Sequence, residues 1–289
     1  MFLRPLLPLL ALATLLPSAP GQSSVWKVSK GDQSIYVGGT CHILRAQDYP
    51  LPQEFELAYE QSDKLVFEVD PAIANDPAFA MKVMQRAIYT DGSTLDSVLT
   101  PEAYAALAEA SQRVGMPIAI IKTMKPVLAV MVVSVQEMTN RGISQEGVEV
   151  YFGKRAESDG KSIGQLETAD FQLDMLLNLG AGYESEFVLL SLKDLEDIDS
   201  MISEMIAAWR SGDMNAMDSL FNDTFVEFPE IRDQILVSRN RNWIPKIESM
   251  FETPEVEYVL VGAGHAAGNE GILAMLEKKG YQIEQVVAK

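Results

Sequence analysis

The chain has 289 residues, 47% of them hydrophobic, and 41 acidic against 23 basic side chains give it a formal net charge of −18. That length suits one large domain with a sizeable core, and that charge excludes partners held through basic patches, namely nucleic acid and anionic membrane surfaces. A single cysteine, Cys41, excludes an intramolecular disulfide, so stability has to come from packing even in an oxidising compartment.

The segment 1–22 carries one positive residue, Arg4, then a short apolar run broken by Pro8 and Pro17, then small residues around Ala19 and Gly21. Its uninterrupted apolar part is too short to span a bilayer. It reads as a signal peptide, with the mature chain starting near Gln22 or Ser23. The expected location is therefore secreted across the inner membrane, in the periplasm, with no stable membrane span once the signal is removed. Residues 23–289 form the expected single domain.

From there the predicted elements run as follows. Val25 to Val28 and Ser34 to Gly38 flank Lys30-Gly31-Asp32 and predict a hairpin. "PLPQEFELAYEQSD" predicts a helix opened by Pro50 and Pro52, and "KLVFEVD" a short buried strand. Residues 76–250 read as a long helical insertion, interrupted by one strand in "KSIGQLET". Within it Leu195, Ile198, Ile202, Met205 and Trp209 recur at three- and four-residue spacing and make one apolar stripe. "EVEYVLVGAGH", "NEGILAMLEKKG" and "YQIEQVVA" close the chain as strand, loop, helix and strand, with Gly280 stopping the helix.

The two ends share a pattern. Both histidines of the chain stand in Gly-x-x-His directly after an apolar run, as Gly39–His42 and Gly262–His265. Each run is followed by a helix and a further strand. The expected fold is therefore α/β (α+β): two β-α-β units, each with its motif, joined in a central mixed sheet and separated by the helical insertion. Ligands in such sheets bind at the carboxyl ends of the strands, where both histidines fall.

Glu68 and Asp70 alternate with Phe67 and Val69 on the predicted strand, so they share a face; Asp70, which precedes Pro71, is expected on a solvated edge, and Glu68 in the site. A carboxylate in a buried strand needs a charged partner or a cation. Two histidines with a carboxylate are a ligand set for a divalent metal with open positions for water, and such a metal lowers the pKa of water towards neutrality. His42, Glu68 and His265 are the expected metal ligands, with waters or Asp70 completing the shell. A metal-free arrangement stays open, in which one histidine is general base and Glu68 orients it. In "ILVSRNRNWIPKIESM" Asn240 interrupts the apolar stripe Leu236, Trp243, Ile247, Met250, with Arg239 beside it; a buried amide there bridges helices or serves the site. Glu167 lies at a strand-to-helix junction, where its charge favours the helix amino terminus. Gln172, one turn on, is its candidate partner. Cys41 is expected to pack rather than react.

The Gly-x-x-His pair, "VFEVD", "MKPVLAVM", "GVEVYFGKRAESDGKSIGQLETADFQ", the Arg239-Asn240 helix and "VGAGHAAGNEGILAMLEKKGY" together resemble the TraB/PrgY/GumN family, relatives of the Tiki proteases and more distantly of the erythromycin esterases. The resemblance runs from about Val25 to Val287. It implies a membrane-exterior, metal-dependent hydrolase that cuts peptide bonds near the amino terminus of extended substrates. It maps the family's histidines onto His42 and His265, its glutamate onto Glu68 and its arginine onto Arg239, expected to stabilise a developing oxyanion. The implied metal is manganese or cobalt, with zinc as an alternative. Two departures stand out, Cys41 and Gly147-Val148-Glu149, neither expected to touch the ligands. Two other functions remain open: a protein that sequesters a peptide without cutting it, and a metal-free esterase.

Overall fold

The computed structural model describes residues 22–288 apart from Gln145, Glu196 and Glu227. Of the expected signal peptide, residues 1–22, all but Gln22 lie outside the described residues, and Gln22 and Ser23 belong to the first strand. Among those described, no helix is long and apolar enough to cross a membrane.

Eight strands can be followed along the chain. They are β1 (Gln22–Lys30), β2 (Gln33–Thr40), β3 (Leu44–Arg45), β4 (Lys64–Phe67), β5 (Ile143–Ser144), β6 (Ser162–Gln165), β7 (Glu257–Gly262) and β8 (Gln282–Val287). Six form one mixed sheet in the order β6-β4-β7-β2-β1-β8, and β3 pairs with β5 as a small separate ribbon. The four strands β6, β4, β7 and β2 are mutually parallel, while β1 runs antiparallel to both β2 and β8. This is the mixed α/β fold expected from the sequence. The strand order refines the expected pair of β-α-β units: β7 lies between β2 and β4, and β8 returns to β1 at the far edge. The two units interleave rather than sit side by side.

Alternation along the parallel strands explains how the sheet is buried on both faces. Leu65, Phe67, Tyr258 and Leu260 face one core with the helices Gln53–Glu60, Val148–Asp159 and Ile198–Ser211. Val66, Val259 and Val261 face the other, with the helices Ser238–Met250 and Ile272–Lys278. The apolar stripe of Ile198–Ser211 is buried as its spacing predicts, with Ile202 and Trp209 almost inaccessible. Its Trp209 indole N–H donates to the Gly39 carbonyl at 2.7 Å. A helix of the insertion thus fastens the backbone of the first motif.

The expected elements differ from those observed in two respects: the insertion 76–250 holds β5, paired with β3, as well as the expected β6, and the strand expected over "KLVFEVD" ends early. β4 stops at Phe67, so Glu68 and Asp70 are not alternating strand residues sharing a face. Asp70 precedes Pro71 and is the N-cap of the turn Pro71–Asn75, its Oδ1 accepting from the Ala72 N–H at 2.9 Å. Proline forces its predecessor to stay extended and itself suits a first helical position, which ends the strand and starts the turn.

Candidate active site

Because four strands are parallel, their carboxyl ends lie along one edge. His42 follows β2 by two residues, Glu68 follows β4 by one, Glu167 follows β6 by two and His265 follows β7 by three. The register places Thr40 beside Gly262 and Phe67 beside both Leu260 and Gln165. Backbone bonds extend the pairing past the strand ends, from Glu167 N–H to the Glu68 carbonyl at 2.9 Å.

The two Gly-x-x-His motifs meet side by side but differ in backbone. Gly39–His42 runs from the end of β2 into a bend at His42, whereas Gly262–His265 enters the helical turn Ala263–Ala266. Gly39 permits their contact, since a Cβ there would lie 3.1 Å from the Ala263 Cα. Gly262 is the hub. A Cβ on it would stand 3.4 Å from Glu68 Oε1, 3.4 Å from His42 Nε2 and 3.7 Å from His265 Cδ2. Three side chains named from sequence therefore converge on one point, and the Gly262 N–H donates to Glu68 Oε1 at 2.8 Å.

Both imidazoles are held by Nδ1. His265 Nδ1 lies 2.7 Å from Asn240 Oδ1. The Asn240 amide nitrogen donates to the carbonyls of His265 and Glu270, so its oxygen is the acceptor and the proton sits on His265 Nδ1. Nε2 of His265 is then a lone pair, 3.0 Å from Arg239 Nη1 and 3.6 Å from Glu68 Oε1. His42 Nδ1 lies 2.7 Å from Glu149 Oε1, an oxygen that also accepts from the Thr40 hydroxyl. Cys41, between Thr40 and His42, points into the core and is 4% exposed, a packing residue with its thiol pushed up to about 12, chiefly by burial.

Arg239 ties the edge together. Its Nε and Nη2 donate to Glu167, Nη2 also to Glu68 Oε2 at 2.5 Å, and Nη1 to the Ile235 carbonyl and His265 Nε2. All five guanidinium N–H groups are used. In this arrangement none is left for an oxyanion, and Arg239 acts instead as the cation that holds two buried carboxylates and one imidazole. The Trp243 indole N–H completes Glu167 at 3.1 Å, and the Trp243 ring lies 4.4 Å from that of His265. Gln172 reaches Glu68 Oε2 at 3.4 Å, not Glu167 as its spacing suggests. Asp70 is turned away into its cap.

Protonation follows from these neighbours. Burial lowers His265 to about 3, with Arg239 acting in the same sense against Glu68, so it is neutral near pH 7. His42, whose side chain is 67% exposed, is raised to about 9, first by the Glu149 carboxylate. Burial alone pushes Glu68 up, but His265, Arg239 and His42 together hold it below the usual carboxylate range.

His42 Nε2 and Glu68 Oε1 face one point, His265 Nε2 lies 3.6 Å from that carboxylate oxygen, and two imidazoles with a carboxylate are a donor set of the right kind for a divalent cation; both histidines have the anchored Nδ1 that such ligands usually show. Two buried carboxylates against one guanidinium also leave an excess of negative charge. As placed, however, no group of three or more His, Cys, Asp and Glu side chains among the described residues stands close enough to hold an ion. Arg239 takes part of the lone-pair capacity of Glu68 and His265.

The residues missed from sequence are Glu149, Thr40 and Trp243. Glu149 lies in the tripeptide noted as a departure from the family pattern and expected not to touch the ligands; it touches His42 directly. Only the position of that tripeptide, at the start of a helix after a glycine, hinted at a fixed role.

Comparison with known proteins bears on this constellation. The sequence model of the TraB/PrgY/gumN family matches residues 24–285. The chain is 22% identical over 304 residues to Metalloprotease TIKI2 of Danio rerio, covering 86% of this chain and 58% of the relative. It is 21% identical over 329 residues to Metalloprotease TIKI1 of Danio rerio, covering 95% and 65% respectively. The chain thus spans under two thirds of the length of these curated relatives. No solved structure matches it.

Proposed function

Since the chain belongs to the TraB/PrgY/gumN family, we propose that it is a metal-dependent hydrolase of extracytoplasmic peptides, cutting peptides or protein amino termini. The observation that carries this reading is the convergence of His42 Nε2, Glu68 Oε1 and His265 on Gly262, with both Nδ1 atoms anchored. Similarity to two proteins named metalloproteases supports a metal and a peptide substrate. His42, Glu68 and His265 would hold the ion, manganese or cobalt by preference and zinc as an alternative.

Such an ion supplies Lewis-acid and water-activating chemistry near neutral pH. The chain's own residues do the rest. Asn240 keeps the proton of His265 on Nδ1, so that Nε2 faces inward as a lone pair. The Gly262 N–H aims Glu68 Oε1 at the same point. Arg239 and Glu167 form a buried charge pair behind Glu68 and fix its second oxygen. His42, at the exposed rim, is where a substrate arriving from solvent first meets the site.

A metal-free esterase is favoured by one observation, the exposed His42 imidazole backed by the Glu149 carboxylate, an acid–base group that donates a proton near neutral pH and becomes a general base as pH approaches about 9. Metal content decides between the two. Wild-type protein loaded with Mn²⁺ or Co²⁺ and dialysed should retain about one ion per chain, lose it in His42→Ala/His265→Ala, and cleave a peptide library only while loaded. Ester hydrolysis that survives chelation would support the esterase instead. Stoichiometric peptide binding with release of intact peptide would support a sequestering protein.

A further inference from the structure

The geometry points to a third motif of the site, Gly147-Val148-Glu149, whose glutamate is the positioning residue that turns His42 Nε2 towards Gly262. It rests in part on the metal-hydrolase reading, because the forward-facing nitrogen matters most if it is a ligand.

The motif begins the helix Val148–Asp159, with Gly147 as its N-cap. A Cβ on Gly147 would lie 2.3 Å from the Cys41 carbonyl oxygen and 2.4 Å from the carbonyl carbon and oxygen of His42. Only a residue without a side chain lets this helix end press onto the backbone of the first Gly-x-x-His. The Val148 N–H then donates to the Cys41 carbonyl at 3.1 Å. With the helix seated there, Glu149 falls opposite Thr40 and His42. Its Oε1 accepts from both the Thr40 hydroxyl and His42 Nδ1.

Thr40 is buried, and the Glu149 side chain is only 15% exposed although the His42 ring is 67% exposed. The carboxylate is therefore the fixed partner and the imidazole the mobile one. An exposed histidine without such a partner samples several rotamers and both tautomers. Bonded through Nδ1 it presents Nε2, as Asn240 makes His265 do. The two histidines are thus oriented by one device built twice, with an amide inside and a carboxylate at the rim. An amide at 149 offers the same acceptor, so the geometry tolerates glutamine and fails with alanine.

The test uses the full mature chain, which has only two imidazoles, both resolvable by ¹⁵N NMR. Wild type and Glu149→Gln should show a hydrogen-bonded Nδ1–H from His42 beside that of His265, and Glu149→Ala should lose the first and keep the second. Titration with Co²⁺ alone should show Glu149→Ala weakened about 10–100-fold, the range expected when an outer partner of a ligand is lost, with Glu149→Gln close to wild type. An unchanged His42 Nδ1–H signal in Glu149→Ala overturns the inference, as does unchanged Co²⁺ affinity in a wild type that binds it. If wild type binds no Co²⁺ yet the Nδ1–H signal behaves as expected, the metal reading fails and the positioning role stands. If Glu149→Ala does not fold, Thr40→Val removes one grip on Glu149 at constant side-chain volume; it should shift the His42 Nδ1–H resonance, and an unmoved resonance overturns the inference.

Discussion

Arg239 Nη1 donates across 3.0 Å to His265 Nε2, the nitrogen whose lone pair a metal ion would take. The same guanidinium holds Glu68 and Glu167, so an internal cation organises the donors of the candidate site.

Removing that cation leaves two buried carboxylates facing each other. Arg239→Met should lower unfolding stability by about 3–5 kcal/mol, the cost of breaking a buried ion pair from one side. Urea unfolding measures it. Arg239→Lys keeps the charge without the fork and should fall between the two. Added Co²⁺ should recover part of the loss in Arg239→Met, since a cation again faces Glu68. Equal stability of wild type and Arg239→Met would remove the organising role.

Gly262 offers a cleaner probe of convergence. Its backbone, φ −48° and ψ 136°, is one that alanine adopts without strain. The added methyl would stand 3.4 Å from both Glu68 Oε1 and His42 Nε2. Gly262→Ala should therefore melt within a few degrees of wild type, about 1 kcal/mol or less of change, yet bind Co²⁺ at least about tenfold more weakly. Undiminished Co²⁺ binding would mean that the three side chains do not share one ion.

Asn240 is buried and its oxygen fixes the His265 tautomer. Asn240→Leu leaves the Nδ1–H and the carbonyls of His265 and Glu270 short of partners, and should lower stability by about 1–3 kcal/mol. Asn240→Asp keeps an acceptor but adds charge beside a buried ring, and should raise the His265 pKa from about 3. A ¹⁵N titration of the two imidazoles reads both effects.

The two histidines should also shape stability against pH in opposite senses, in protein kept metal-free by chelation. An unfolded histidine titrates near about 6.5. His42, raised to about 9, keeps a proton in the folded state that the unfolded chain has released; its contribution is complete below about 6.5 and is lost as pH rises towards 9. His265, lowered to about 3, lacks a proton that the unfolded chain binds, so stability falls as pH drops from about 6.5 towards 3. Glu68, lowered as well, adds to that acid limb below the usual carboxylate range. The expected curve peaks near pH 6.5, with the shallower slope on the alkaline side because His42 is exposed and screened. His42→Asn should flatten the alkaline limb, and His265→Gln should reduce the acid one.

How much of this was legible in the sequence varies with the physics. His42 and His265 stood out because glycines punctuate apolar runs just before them. Glu68 and Arg239-Asn240 stood out because polar groups interrupt buried patterns. Asp70 shares the alternation of "VFEVD" with Glu68, but Pro71 after it pointed to a solvated edge, where it caps the turn Pro71–Asn75. Glu149 was not legible: an acid in the first turn of a helix is explained by the helix alone, and its contact with His42 spans 107 residues of chain. The order of strands was hidden for a related reason. Strands adjacent in sequence usually neighbour one another, and nothing local in "YVLVG" says that it passes between two strands formed more than 190 residues earlier.

That interleaving sets the order in which the protein can be made. β7 separates β2 from β4 and supplies both Gly262 and His265, so a nascent chain that has not yet released residues 257–265 has His42 and Glu68 without the hub between them. Sheet closure awaits nearly the last residue, since β8 must return to β1, where Gln22 pairs with Val287. Pairings this distant in sequence form slowly and late. The candidate site is therefore incomplete until the C-terminal strands dock, whatever chemistry it performs once assembled.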